Sequence, residues 1–173
     1  MFQTYDVRSR PENGPPRLAL LRAALEFAGV DAFLVPRTDM FRGENVAPCD
    51  ERLEWLTGFT GSAGQAIVTA ERAVVFVDSR YTLQVRAQVA DSDFEFADLL
   101  NDKAADWLRG ALAAKATVAY DPWLHTSGEI TKLEAALGPD FHLSPTENFL
   151  DGVWSDRPPM GAGQVFVHPI EFA

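Results

Sequence analysis

The chain has 173 residues, with 15 Lys and Arg against 25 Asp and Glu, a formal net charge of −10. At about 100–200 residues per domain, this length favours one domain with a short appendage, and 47 % apolar content supplies a real core. The excess of acid disfavours nucleic acid and anionic membrane surfaces, because both are bound through Lys and Arg.

No apolar run reaches the roughly 20 residues that span a bilayer. The opening Met1-Phe2-Gln3-Thr4-Tyr5-Asp6 lacks a basic segment followed by an apolar one, so no signal peptide is read there. Cys49 stands alone and allows no internal disulfide, which suits a reducing compartment with the cytoplasm as default.

Residues 1–14 are polar and aperiodic and predict a flexible leader. Pro15-Pro16 suits the first turn of a helix, with Leu18, Leu21, Leu25 and Ala28 at helical spacing and Gly29 as the stop. Ala32 to Val35 then reads as a short buried strand ended by Pro36. After an irregular polar stretch, Asp50 to Leu56 predicts a short helix with Asp50 as its N-cap.

Gly58, Gly61 and Gly64 punctuate a loop. Gln65 to Thr69 and Ala73 to Val77 follow as strands. The three residues between them favour an antiparallel hairpin, because a parallel pair needs a long crossover. Helices are expected over Tyr81 to Val89, Ala104 to Ala114 and, capped by Ser127, up to Leu137. Strands are expected at Phe94-Glu95-Phe96, Thr117 to Tyr120 and Phe141-His142-Leu143. The fold class is therefore α/β, a mixed sheet of about six strands flanked by helices. Residues 15–154 form the domain, and residues 155–173, rich in Pro and Gly, read as a linker toward a second domain.

Complete reactive sites are hard to assemble from these residues. His125, His142 and His168 are far apart in sequence, and the His168-Pro169-Ile170-Glu171 spacing falls on a proline in a linker rather than on a helix. Asp91 and Asp93 share a loop, where turn and capping roles suffice. Cys49 sits beside Asp50, whose carboxylate discourages a thiolate. Gly61-Ser62-Ala63-Gly64 lacks the spacing of a nucleophile elbow and leads into a strand. The loop Gly58 to Gly64 has no Lys and precedes no helix, so its glycines read as a tight turn rather than a phosphate cradle.

Asp78-Ser79-Arg80-Tyr81 differs, because it directly follows the strand Val74 to Val77, on the rim where α/β sheets place ligand contacts. Two readings stay open: Arg80 offers its donor fork to a carboxylate or peptide carbonyl, or Asp78 caps the next helix while Arg80 pairs with a local acid.

Taken in order, Glu44 to Arg52, Thr57 to Gly64, Ala66 to Thr69 and Val77 to Tyr81 with Gln84 resemble the N-terminal domain of cytosolic-type Xaa-Pro aminopeptidases (aminopeptidase P), in the creatinase/prolidase group. Asn148 to Asp151 and Val153 to Pro158 resemble that family's signature ahead of its second domain. The resemblance implies a ribonuclease-H-like creatinase N-terminal domain. It implies a parent metallopeptidase, a hydrolase that removes the first residue of peptides with proline second. In that family a C-terminal domain holds two divalent metal ions, usually manganese, through two Asp, one His and two Glu.

The segment itself is then expected to hold no cofactor or metal, to be inactive alone, and to shape the substrate cleft. Arg80 becomes the candidate substrate-binding residue, with Asp78 and Tyr81 in support, and no catalytic residue is expected here. The partners implied are the peptide, the later domains of the same chain and a possible homo-oligomer. Two alternatives stand beside this: a stand-alone binding or assembly module, or the same domain from a prolidase- or creatinase-like relative.

Overall fold

The structure, a computed structural model, describes residues 9–161, 163, 167 and 169–172. Six strands form one sheet in the order β4-β3-β2-β1-β5-β6. They are β1 Ala32–Pro36, β2 Gly64–Thr69, β3 Ala73–Val77, β4 Glu95–Asp98, β5 Ala116–Tyr120 and β6 Phe141–Pro145. The helices among the described residues are α1 Gly14–Ala28, α2 Arg52–Thr57, α3 Thr82–Gln88, α4 Ala104–Ala111, α5 Ser127–Leu137 and α6 Phe149–Val153. The mixed sheet expected from the sequence is thus present. β2 runs antiparallel to β1 and β3, while β1 with β5, β5 with β6, and β3 with β4 are parallel.

Strand alternation divides the core into two layers. On one face Phe33, Val35, Ala66, Val68, Val75 and Val77 pack with Leu18, Leu21 and Leu25 of α1, Leu53 and Leu56 of α2, and Leu150 of α6. On the other, Leu34, Ile67, Val74, Phe76 and Val118 meet Leu108 of α4 and Leu137 of α5. Both faces are covered, which is why these strands read as nearly unbroken apolar runs rather than alternating ones. Gly29 ends α1 at φ 67°, the left-handed geometry expected of a C-terminal glycine.

Of the leader expected over residues 1–14, residues 1–8 lie outside the described residues, while the buried Ser9 hydroxyl donates to the carbonyls of Gly58 and Gln88 at 2.9 and 3.0 Å and Pro11–Asn13 is a 3₁₀ turn leading into α1. Three local expectations are corrected. Asp50 does not cap α2, because its carboxylate pairs with Arg52 and Arg157. Thr126, not Ser127, caps α5, since Thr126 stands three residues before Glu129 and closes a capping box with it. The strand expected at Phe94 starts one residue later and runs to Asp98, paired with β3, while Phe94 turns into the core.

The sixth helix, α6, is short and capped by the Asn148 side chain, which accepts from Leu150 N at 3.1 Å. It is held by charge. Arg52, with 7 % of its side chain exposed, donates from Nε and Nη2 to both oxygens of Asp151 at 2.7 and 3.0 Å, and from Nη1 to Asp50 at 2.9 Å. Arg157 adds bonds to Asp151, Asp50 and the Cys49 carbonyl. The stretch expected as a linker from Ser155 therefore begins while still fastened to the domain. Trp55 and Trp154 stack beside this cluster, with ring centroids 5.4 Å apart.

Arg52 is buried, but Asp151 is about a third exposed and Asp50 stays beside Arg52 when Asp151 is removed. Asp151→Ala should therefore lower the free energy of urea unfolding by about 1–3 kcal/mol, the worth of hydrogen bonds to a charged group, while exchange of the exposed Arg10 stays within about 0.5 kcal/mol.

Candidate functional site

Because β2 alone runs against the others, β1, β3, β4, β5 and β6 all end on one rim of the sheet, and β2 begins there. Three neighbouring segments therefore meet on that rim: the loop after β1, the glycine loop before β2, and the turn after β3. Ligand contacts in open α/β sheets collect at such carboxyl ends.

The turn after β3 carries the three residues singled out in the sequence. Asp78 leaves the strand in extended geometry and caps the 3₁₀ turn Ser79–Tyr81 by accepting from Arg80 N at 3.0 Å. The same oxygen accepts from Arg80 Nε at 2.7 Å. Of the two open readings, the local one is what the structure shows. Asp78 is a cap and Arg80 pairs locally, yet 67 % of the Arg80 side chain stays exposed on the rim. The Arg80 bonds hold the Asp78 carboxyl below the usual carboxylate range, and the Asp78 carboxylate in turn raises the Arg80 guanidinium.

Tyr81 joins this turn to the glycine loop. Its hydroxyl lies 2.6 Å from Ser62 Oγ, and its ring meets Phe59 edge-on at 5.6 Å. The Ser62 hydrogen bond pulls the Tyr81 phenol below its ordinary value. The glycines serve packing, as expected of a tight turn. A Cβ on Gly61 would lie 2.2 Å from the Phe59 ring, and Gly58 adopts φ 86°, where a Cβ would lie 2.6 Å from the Gln88 carbonyl oxygen. Thr60, Gln84 and Gln88 complete the turn through mutual side-chain hydrogen bonds.

A cavity of about 490 Å³ opens beside Ser62, between the loop after β1 and the start of α5. Arg37 borders it, its guanidinium bonded to Glu51 at 3.0 Å and to the Glu44 carbonyl. Burial raises the Glu51 carboxyl, and Arg37 works against that rise. His125 closes another side, with Nδ1 2.9 Å from the Asp121 carbonyl oxygen and its ring edge-on to Tyr120. Burial pushes its pKa down.

The other candidates stay apart. His142 is exposed on β6, and Cys49 is buried, its thiol 3.7 Å from Asp50 Oδ2. Asp91 and Asp93 lie in a turn, and His168 falls outside the described residues. Among the described residues, no group of three or more His, Cys, Asp and Glu side chains is placed to hold a metal ion. Ser62, weighed in the sequence only as a nucleophile and set aside, is the residue that joins two rim segments. No local pattern signals that bond to Tyr81.

Residues 17–153 match the family model of the creatinase/prolidase N-terminal domain. The chain belongs to this family. Aminopeptidase P1 of Lotus japonicus is 34 % identical over 147 residues, which are 83 % of this chain and 22 % of that protein. Xaa-Pro aminopeptidase 2 of Rattus norvegicus is 34 % identical over 164 residues, 92 % of this chain and 24 % of its own length. The chain thus spans about a quarter of the curated relatives it matches.

Among solved structures, the X-prolyl aminopeptidase of Caenorhabditis elegans, a cytosolic enzyme with a di-nuclear active site, superposes with a TM-score of 0.75. It is 27 % identical, and the match covers 86 % of this chain and 26 % of that one. As a creatinase/prolidase N-terminal domain, this chain corresponds to the N-terminal part of hydrolases of that kind.

The rim pair has a direct test. In an NMR titration Asp78 should titrate below the usual value of about 4, and in Arg80→Ala it should rise toward that value. An unchanged Asp78 would mean that Arg80 does not hold it.

Proposed function

We propose that this domain forms a non-catalytic wall of the substrate cleft in a metal-dependent Xaa-Pro aminopeptidase, which removes the first residue of peptides with proline second. One observation carries this reading: Arg80 is held on the sheet rim by a capped turn, its guanidinium over the Tyr81 ring, yet about two thirds of its side chain stays exposed. Identity of 34 % to aminopeptidases over most of the chain supports the activity named.

A peptide whose second residue is proline lacks one amide donor. Recognition must then come from shape and a few placed groups. A guanidinium fork suits a carbonyl or carboxylate of such a peptide, and Asp78 fixes its direction before binding. Arg80 would orient the substrate without touching the bond that breaks.

The parent's metal chemistry would fall to the later domain of the same chain, as the family resemblance implies. Two divalent ions, manganese by family resemblance, would be held there. The parent is proposed to be cytosolic, as its Caenorhabditis elegans relative is, and to work as a homo-oligomer. Among the described residues no helix is long and apolar enough to cross a membrane.

In the full-length enzyme, Arg80→Ala should lower kcat/KM by about ten- to a hundredfold, the worth of a hydrogen bond to a charged group. Metal content should stay unchanged. Normal kinetics would refute the role of Arg80, and lost metal would make it a structural residue instead.

A further inference from the structure

The loop after β1 holds an aromatic residue outward by several independent restraints. Asp39 is buried, and its Oδ1 accepts from Phe41 N and Gly43 N, both at 3.0 Å. Arg42 lies between them in left-handed geometry, φ 58°, a conformation uncommon for a residue with a side chain. Its guanidinium reaches α5, donating to both oxygens of Glu129 at 3.1 and 2.7 Å and to the Leu124 carbonyl at 3.1 Å. The backbone is thus tied on both sides of Phe41. The ring itself is 78 % exposed, with Met40 beside it 45 % exposed.

A lone surface aromatic is ordinary. Backbone strain maintained by long-range bonds is not, and strained residues gather where a surface does work. The position adds to this. In the sheet order β3-β2-β1, the Arg80 turn and the Phe41 loop flank the glycine loop, and strands one apart from each other lie about 10 Å apart. Arg42 and Ser62 line the same cavity, and Ser62 contacts Tyr81. One rim therefore presents a charged fork and, a short span away, an exposed apolar ring on a tied backbone.

We infer that Phe41 is a specificity-determining residue, the apolar contact for a large side chain of the peptide that Arg80 orients. This rests on the cleft-wall reading above. The backbone that carries the ring is tied down before the peptide arrives, which lowers the ordering cost of the contact. Arg42 and Asp39 act as positioning residues behind it.

The test uses the full-length enzyme and two peptide series. One varies the residue before proline among Gly, Leu and Phe, and the other varies the residue after it. Phe41→Ala should shrink the preference for Leu or Phe over Gly about tenfold in one series, as loss of an apolar contact does. Phe41→Leu should keep most of that preference, and both variants should melt as the wild type does.

Unaltered preferences in both series would overturn the inference. So would an equal loss on every peptide with a lowered melting temperature, which would place the ring against the enzyme's own later residues. Arg80→Ala run in parallel separates the two ideas. An effect there without one at Phe41 defeats the inference alone, and no effect at either defeats the cleft-wall reading as well.

Discussion

The buried guanidinium of Arg52 is the constraint on which this domain's arrangement depends. It sits at the start of α2 and grips Asp151 of α6, 99 residues along the chain. Burial works against its charge, but the bonds and charge of Asp151 and Asp50 outweigh that, and its pKa is raised. Such a cluster gains little over apolar packing in raw stability, because desolvation consumes much of the attraction. What it supplies is direction. Two carboxylates and two guanidinium groups satisfy one another in one geometry, and that geometry sets where the chain leaves α6.

The same cluster reaches the rim. Asp50 and Glu51 are adjacent, so the residue that completes the Arg52 network is followed by the partner of Arg37. Arg37 in turn carries the first bond of the loop after β1, to the Glu44 carbonyl. A charged path therefore runs from the closing helix to the surface loop. β2 contributes differently. An antiparallel strand begins where its neighbours end, so it brings the glycine loop to the rim between the Arg80 turn and the Phe41 loop.

Much of the fold was legible because burial on both sheet faces leaves short, bounded apolar runs. The β2–β3 hairpin followed from the three residues that join its strands. What escaped were bonds between distant residues. Asp50 has the composition of an N-cap, and a tertiary demand from Arg52 and Arg157 overrode it. Ser9 has two backbone acceptors, 49 and 79 residues away, which no local pattern reveals. Thr126 was available to a stricter reading, since Glu129 three residues later marks the capping box. At the site, strand-end position and family resemblance brought out Arg80. Ser62 and the Asp39 loop have no local signature of their role.

The charge balance explains why the rim is built from paired groups. A protein with a net charge of −10 offers an acidic peptide no favourable long-range field. On the proposed cleft-wall reading, recognition by Arg80 would be short-ranged and directional. Asp78 meets that need with a single oxygen, which accepts from both the Arg80 backbone amide and its Nε. The side chain is thereby anchored at its root and at its neck, with its guanidinium over the Tyr81 ring and most of the side chain exposed. Neutralising the pair on average removes steering, which favours no ligand here, and keeps the donors aimed. A free arginine at this position would search many rotamers, and ordering it on binding would cost about 0.5–1.5 kcal/mol. The Asp78 cap lowers that cost in the folded domain, before any peptide arrives.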